Sequence, residues 1–166
     1  MKFFKLSLKQ FSKVSQKNID YLKTIIDVNS IQYNDNLKIK PKTTQEVFNI
    51  LKYCNDNHLT VNTNNNSKET DITIILNQMN KIYSFDETSN TLFCEAGCTP
   101  NEINKHLLNF NKELPFTNNK SIGSIIATNA NNQYSKYGSI INNIHSMKVV
   151  TPTDVLLLKN NFEQFI

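Results

Sequence analysis

Lys40–Thr63, KPKTTQEVFNILKYCNDNHLTVNT, reads as strand, helix, strand. Pro41 has no N–H to donate and ends an extended piece. Thr43 stands three residues before Glu46, the spacing of a capping box at a helix start. Val47, Ile50, Leu51 and Cys54 recur at helical spacing and make one apolar stripe. Asn57 suits a left-handed helix end, and LTVNT returns as a short strand.

Upstream of this unit, NIDYLKTIID (Asn18–Asp27) places Ile19, Leu22 and Ile26 on one helical face. Residues 1–17, MKFFKLSLKQFSKVSQK, are basic and carry Phe4, Leu8 and Phe11 at helical spacing. Lys5 breaks any signal-peptide core. The segment is read as a solvated N-terminal helix or extension, with an organelle transit peptide as the other reading. Downstream, TDITIIL (Thr70–Leu76) is a β-branched strand. A hairpin follows, with arms Ile82–Phe85 and Thr91–Glu95 and a turn over Asp86–Asn90. Thr99, Pro100 and Glu102 spell a second capping box, and Ile103, Leu107 and Leu108 form the apolar face of its helix. After ELPF a short helix starts at Ser121 with Ile122, Ile125 and Ile126 inward; SMKVVTPTDVLLL closes as two strands with a turn at Pro152–Asp154. The order predicts an α+β fold that mixes parallel and antiparallel pairing.

At 166 residues, 39% apolar and 19% charged, the chain fits one globular domain. Its net charge of +4 comes from lysine alone. Without arginine, and without a dense basic run, nucleic-acid binding is not expected. No apolar run reaches transmembrane length. Asn, Lys and Ile dominate while Gly, Arg and Trp are scarce or absent, the bias of A/T-rich codons, so asparagine is expected at some glycine-like positions. Cys54, Cys94 and Cys98 are odd in number, and C-x3-C lacks a second ligand pair that His106 alone does not supply. They read as reduced structural thiols, with no metal, in a reducing compartment such as the cytoplasm.

Two loops stand out. TNNNSKE (Thr63–Glu69) lies between strands. SIGSIIATNANNQYSKYGS (Ser121–Ser139) holds two of the three glycines, Gly123 and Gly138, among small residues, which predicts a close backbone approach. Backbone N–H groups facing a helix start can hold an anion; a surface turn and small-residue packing explain the same loops. His58, His106 and His145 are expected at the surface.

In order, these segments resemble the flavin-binding (PCMH-type) domain of the FAD-linked oxidases. The branch that they are similar to acts on D-2-hydroxy acids: the FAD-linked component of glycolate oxidase, D-lactate dehydrogenase and D-2-hydroxyglutarate dehydrogenase. The resemblance covers roughly Ile19 to the C-terminus, so the flavin domain is assigned to 18–166. It implies two small α+β subdomains with FAD between them. It also implies that Ser121, Ile122, Gly123 and Ser124 line the cofactor, with Thr128 and Asn129 behind. Tyr137 and Gly138 would shape the adjoining turn, Pro115 would lie near the cofactor's middle, and Val150 would pass the isoalloxazine. The family's glycine-rich pyrophosphate loop is represented by Asn64, Asn65, Asn66 and Ser67, and Ser124 replaces a glycine. Neither loop carries a histidine or cysteine, so FAD is expected to be non-covalent, with weak or lost binding as the alternative. The family's substrate domain has no counterpart in this chain. This implies an incomplete flavin domain, a separately encoded C-terminal half as a partner or a catalytically silent remnant, and no assignable catalytic residue. A related flavin fold, the enolpyruvyl-UDP-GlcNAc reductases, fits NQMNKI and VVTPTD less well.

Overall fold

Helix α2 (Thr44–Asp56) forms where the Lys40–Thr63 stripe requires it. The Glu46 N–H donates to Thr43 Oγ1 at 3.1 Å, while the Glu46 carboxylate reaches past Thr43 to the Lys42 N–H at 2.6 Å. Val47, Ile50 and Cys54 are buried as expected and Leu51 is half-buried. The helix ends differently from the expectation. Asn57 stays at φ −106 and donates its amide to the Tyr53 carbonyl at 2.8 Å, so His58, at φ 52, takes the left-handed position. The Leu59 N–H then closes on the Cys54 carbonyl at 2.8 Å, satisfying a carbonyl that the last turn leaves open.

The structure, a computed structural model, describes residues 14–33, 37–63, 70–115, 119–129 and 140–159. A four-stranded sheet has the order β1-β2-β4-β3, from β1 (Ile31–Tyr33), β2 (Leu37–Ile39), β3 (Val61–Asn62) and β4 (Ile72–Ile74). Strands β2, β3 and β4 run parallel; β1, which the pattern of IQY alone does not reveal, pairs antiparallel with β2. Helix α1 (Gln16–Ile25) is capped by Ser15, whose N–H donates to Asn18 Oδ1 at 2.8 Å. It packs with α2 on one sheet face, where Leu22, Ile26, Leu37, Ile39, Ile50, Cys54, Ile72 and Ile74 share a core. Tyr21 stacks on Tyr53 with ring centroids 4.2 Å apart, and Asn18 Nδ2 donates to the Tyr53 hydroxyl at 3.0 Å. Where β3 and β4 begin, the buried Asp71 carboxylate accepts the Thr60 N–H at 2.9 Å and hydroxyl at 2.8 Å.

A second body follows. Strands β5 (Ile82–Asp86) and β6 (Thr91–Cys94) form the expected hairpin, irregular between Ile82 and Ser84. Helix α3 (Pro100–Leu107) carries the full Thr99–Glu102 box: the Thr99 N–H donates to Glu102 Oε2 at 2.7 Å and the Glu102 N–H to Thr99 Oγ1 at 3.3 Å. Cys98, Ile103 and Leu107 pack there against Ile82, Phe85, Leu92 and Cys94. Helix α4 (Ile122–Ala127) joins this body, with Ile125 against Ile140 and with Leu114 and Ile122 bridging both clusters. The last described pair is β7 (Ser146–Val150) and β8 (Val155–Lys159), antiparallel, with Val150 opposite Val155. The fold is thus α+β with mixed pairing.

Candidate functional site

The parallel strands β2, β4 and β3 end on one edge of the sheet, where crevices of open sheets take ligands. Three backbone segments are stacked beyond β4. The Gly97 N–H donates to the Met79 carbonyl at 2.8 Å, and the Gly123 N–H donates to the Ala96 carbonyl at 2.8 Å. A Cβ on Gly97 would lie 2.0 Å from the Leu76 carbonyl oxygen and 2.6 Å from that of Met79. A Cβ on Gly123 would lie 2.9 Å from Ala96 Cβ and 3.1 Å from its carbonyl oxygen. The close approach predicted at Gly123 is therefore real, and it is made to the Ala96–Cys98 turn of the protein itself.

The first N–H groups of α4 are all spent inside the fold. Those of Ile122 and Gly123 go to the carbonyls of Cys98 and Ala96, each at 2.8 Å. The Ser124 N–H goes to Ser121 Oγ at 3.4 Å and the Ile125 N–H to the Ser121 carbonyl at 2.9 Å. The N–H groups of residues 122–125, the first turn of α4, are therefore engaged within the protein. What Ser121–Ser124 can offer a ligand is half-buried side chains and hydroxyl hydrogens. Thr128 turns its hydroxyl back to the Ser124 carbonyl at 2.8 Å, and Asn129 ends the helix at φ 42.

Pro115 is half-buried and follows Leu114, whose N–H donates to Asn104 Oδ1 at 2.7 Å and whose side chain packs beside α4. Val150 is carried on the β7–β8 hairpin, which lies against α2. Asn64, Asn65, Asn66, Ser67, Tyr137 and Gly138 lie outside the described residues.

Two features escaped the sequence reading. Gly97, in CEAGCTP, anchors the stack as tightly as Gly123, and only its isolation in a glycine-poor chain signals it. Thr70, directly after the Asn64–Glu69 stretch, has a buried hydroxyl oxygen with no hydrogen-bond partner among the described residues. An orphaned buried hydroxyl is costly and suits an external acceptor. From Leu114 to Thr153 the chain holds no Asp or Glu but three lysines, Lys120, Lys136 and Lys148. Hydroxyl donors, lysines and missing carboxylates fit the phosphates of a dinucleotide.

The thiols are free. Burial pushes Cys54 and Cys94 up to about 12, with the Asp71 charge adding at Cys54 and the neighbouring Cys98 at Cys94. Cys98, also raised by burial, sits with its Sγ 3.5 Å from the Lys81 carbonyl. These thiols stay protonated and poorly nucleophilic at neutral pH. Among the described residues no three His, Cys, Asp or Glu side chains are placed to hold a metal ion. His58 and His145 are exposed, and His106 packs 5.8 Å from the Phe110 ring. Among the described residues no helix is long and apolar enough to cross a membrane.

Residues 36–157 match the model of the FAD binding domain family. The chain is 31% identical over 140 residues to D-2-hydroxyglutarate–pyruvate transhydrogenase of Saccharomyces cerevisiae, covering 76% of this chain and 28% of that protein. It is 27% identical over 151 residues to mitochondrial D-2-hydroxyglutarate dehydrogenase of Danio rerio, covering 82% of this chain and 27% of the relative. The chain thus spans little more than a quarter of these curated relatives. Among solved structures, an alkyldihydroxyacetonephosphate synthase superposes with a TM-score of 0.79 at 18% identity, over 93% of this chain and 36% of the other, which shows the shared fold.

Proposed function

The chain belongs to the FAD binding domain family, and from that premise we propose that it is the cofactor-holding part of an FAD-linked oxidoreductase acting on D-2-hydroxy acids. The family match over residues 36–157 carries this reading, and the names of the two relatives supply the substrate class. When bound, FAD supplies the acceptor for the hydride that leaves the substrate α-carbon.

The chain's own task is to hold and orient the cofactor. Ser121, Ile122, Gly123 and Ser124 line it, held in place by the Ala96–Cys98 turn, with Thr128 and Asn129 behind them. Pro115 sits near its middle, Tyr137 and Gly138 shape the adjoining turn, and Val150 borders the isoalloxazine. Asn64, Asn65, Asn66 and Ser67 face the pyrophosphate, with the Thr70 hydroxyl as a further donor. FAD is held without a covalent bond, because neither loop carries a nucleophilic His or Cys. Substrate-binding and proton-abstracting groups belong to polypeptide beyond the matched quarter of the relatives, in this gene or in a separately encoded half. The exposed Val155 and Leu157 on β8 support such a partner. The three thiols suit the reducing cytoplasm, whereas the relative's printed mitochondrial location favours an address in the basic N-terminal segment; import into isolated mitochondria separates the two.

A second reading, a silent remnant with weakened FAD binding, is favoured by Asn64–Asn66, whose Cβ atoms obstruct approach to phosphate. FAD titration by fluorescence quenching tests both. The reading expects a saturable, reversible FAD complex, tightened by Asn65→Gly with Asn66→Gly; two restored charge-assisted bonds are worth about 3 kcal/mol or more together. A parent chain with no FAD affinity, and no gain in the folded glycine variant, overturns it.

A further inference from the structure

The four-stranded sheet has a second face, turned away from α1 and α2. Register aligns Gln32, Lys38, Thr73 and Asn62 as one row across β1, β2, β4 and β3. Their neighbours along the strands (Leu37 and Ile39, Ile72 and Ile74, Val61) belong to the helix-covered core. Alternation of side chains therefore puts the row on the opposite face. Thr73 in this row is fully enclosed and Lys38 is half-buried. Among the described residues ion pairs join Lys23 to Asp20 and Lys42 to Asp27, and none reaches Lys38.

A half-buried lysine lays its stem along the sheet and keeps its ammonium available to an anion that arrives from outside. Lys38 stands one residue before the edge at which the three parallel strands end. Beyond that edge, the Ile39 carbonyl accepts the Ile75 N–H at 2.8 Å, which begins the turn that Gly97 and then Gly123 rest upon. The lysine is thus on the strand that borders the cofactor crevice, in a row free of carboxylates.

We propose that Lys38 is the cationic residue of the phosphate subsite, pairing its ammonium with the pyrophosphate of a bound ADP moiety. The inference rests on the FAD reading and adds a positive charge to it. A compact ammonium on a flexible stem pairs with phosphate as a point charge.

Three probes are titrated against the full chain, Lys38→Met and Lys38→Arg: FAD, ADP and riboflavin, the last lacking phosphate. Lys38→Met is expected to weaken FAD and ADP roughly tenfold or more, in line with loss of one charge-assisted bond. Riboflavin should be unchanged, Lys38→Arg should retain most of the affinity, and added salt should weaken the parent more than the methionine variant. Equal FAD affinity in parent and Lys38→Met overturns the proposal. So does a parallel loss of riboflavin, which would mark a packing role. A parent that binds ADP through Lys38 but neither flavin keeps the phosphate subsite and overturns the flavin reading. A parent that binds none of the three overturns both.

Discussion

A Cβ at position 97 would meet the Leu76 carbonyl oxygen at 2.0 Å, a contact that no side-chain rotation relieves. Glycine is required there for volume. Elsewhere glycine-like backbone is occupied by other residues: Asn90 and Asn111 at φ 52, Asn129 at φ 42 and His58 at φ 52. Asparagine tolerates that conformation at modest cost. The expectation that asparagine would stand at glycine-like positions is met where the demand is conformational, and glycine persists where a methyl group has nowhere to go. Gly123→Ala should destabilise the fold by about 1–3 kcal/mol through overpacking. Because the nearest obstacle is Ala96 Cβ at 2.9 Å, Ala96→Gly should restore part of the loss. Denaturant melts of the four proteins in a double-mutant cycle should give a coupling above about 0.5 kcal/mol. Simple additivity would show that Gly123 is not held against Ala96.

Among the elements, α3 shows how far a local rule reaches. The Glu102 carboxylate accepts the Thr99 N–H and hydroxyl, at 2.7 and 2.8 Å, and these bonds hold it below the ordinary glutamate value of 4.5. A depressed carboxyl adds stability above its unfolded value and loses it as pH falls. Thr99→Ala should therefore cost about 1 kcal/mol at pH 7, lowering Tm by about 2–4 °C. The gap should narrow as pH falls through the lowered value of Glu102 and its carboxyl takes up a proton; a gap independent of pH would assign the cap to the threonine hydroxyl alone. The caps of α2 and α3 and both hairpins were legible because their signals lie within a few residues. Strand β3 was legible within LTVNT, whereas β1 was not, since the three residues of IQY show no alternation that sets them apart from a loop. The end of α2 was misplaced by one residue because Asn57 spends its side chain on the Tyr53 carbonyl, a choice decided by geometry. At the candidate site, Ser121 as a cap and Gly123 as a close approach could be read. That Ala96 is the surface approached, and that Lys38 faces away from the core, follow from tertiary register and could not.

For the whole molecule, the chain matches little more than a quarter of its curated relatives, yet its two bodies are joined by hydrogen bonds. The sheet with α1 and α2 has one core, and the β5–β6 hairpin with α3 and α4 has others. Gly97 to Met79 and Gly123 to Ala96, each at 2.8 Å, tie the turn after β4 to the second body and then to α4. These two amide hydrogens can trade with solvent deuterium only when the stack parts, so they act as a clock on opening of the stack. Both are expected to exchange at one slow rate, slower than amides in the first turn of α1, and to slow together when FAD is added. Different rates at the two positions would mean that α4 lifts away while the rest stays closed. If the rates agree, a ligand that leaves the crevice only when the stack parts can depart no faster than that clock ticks.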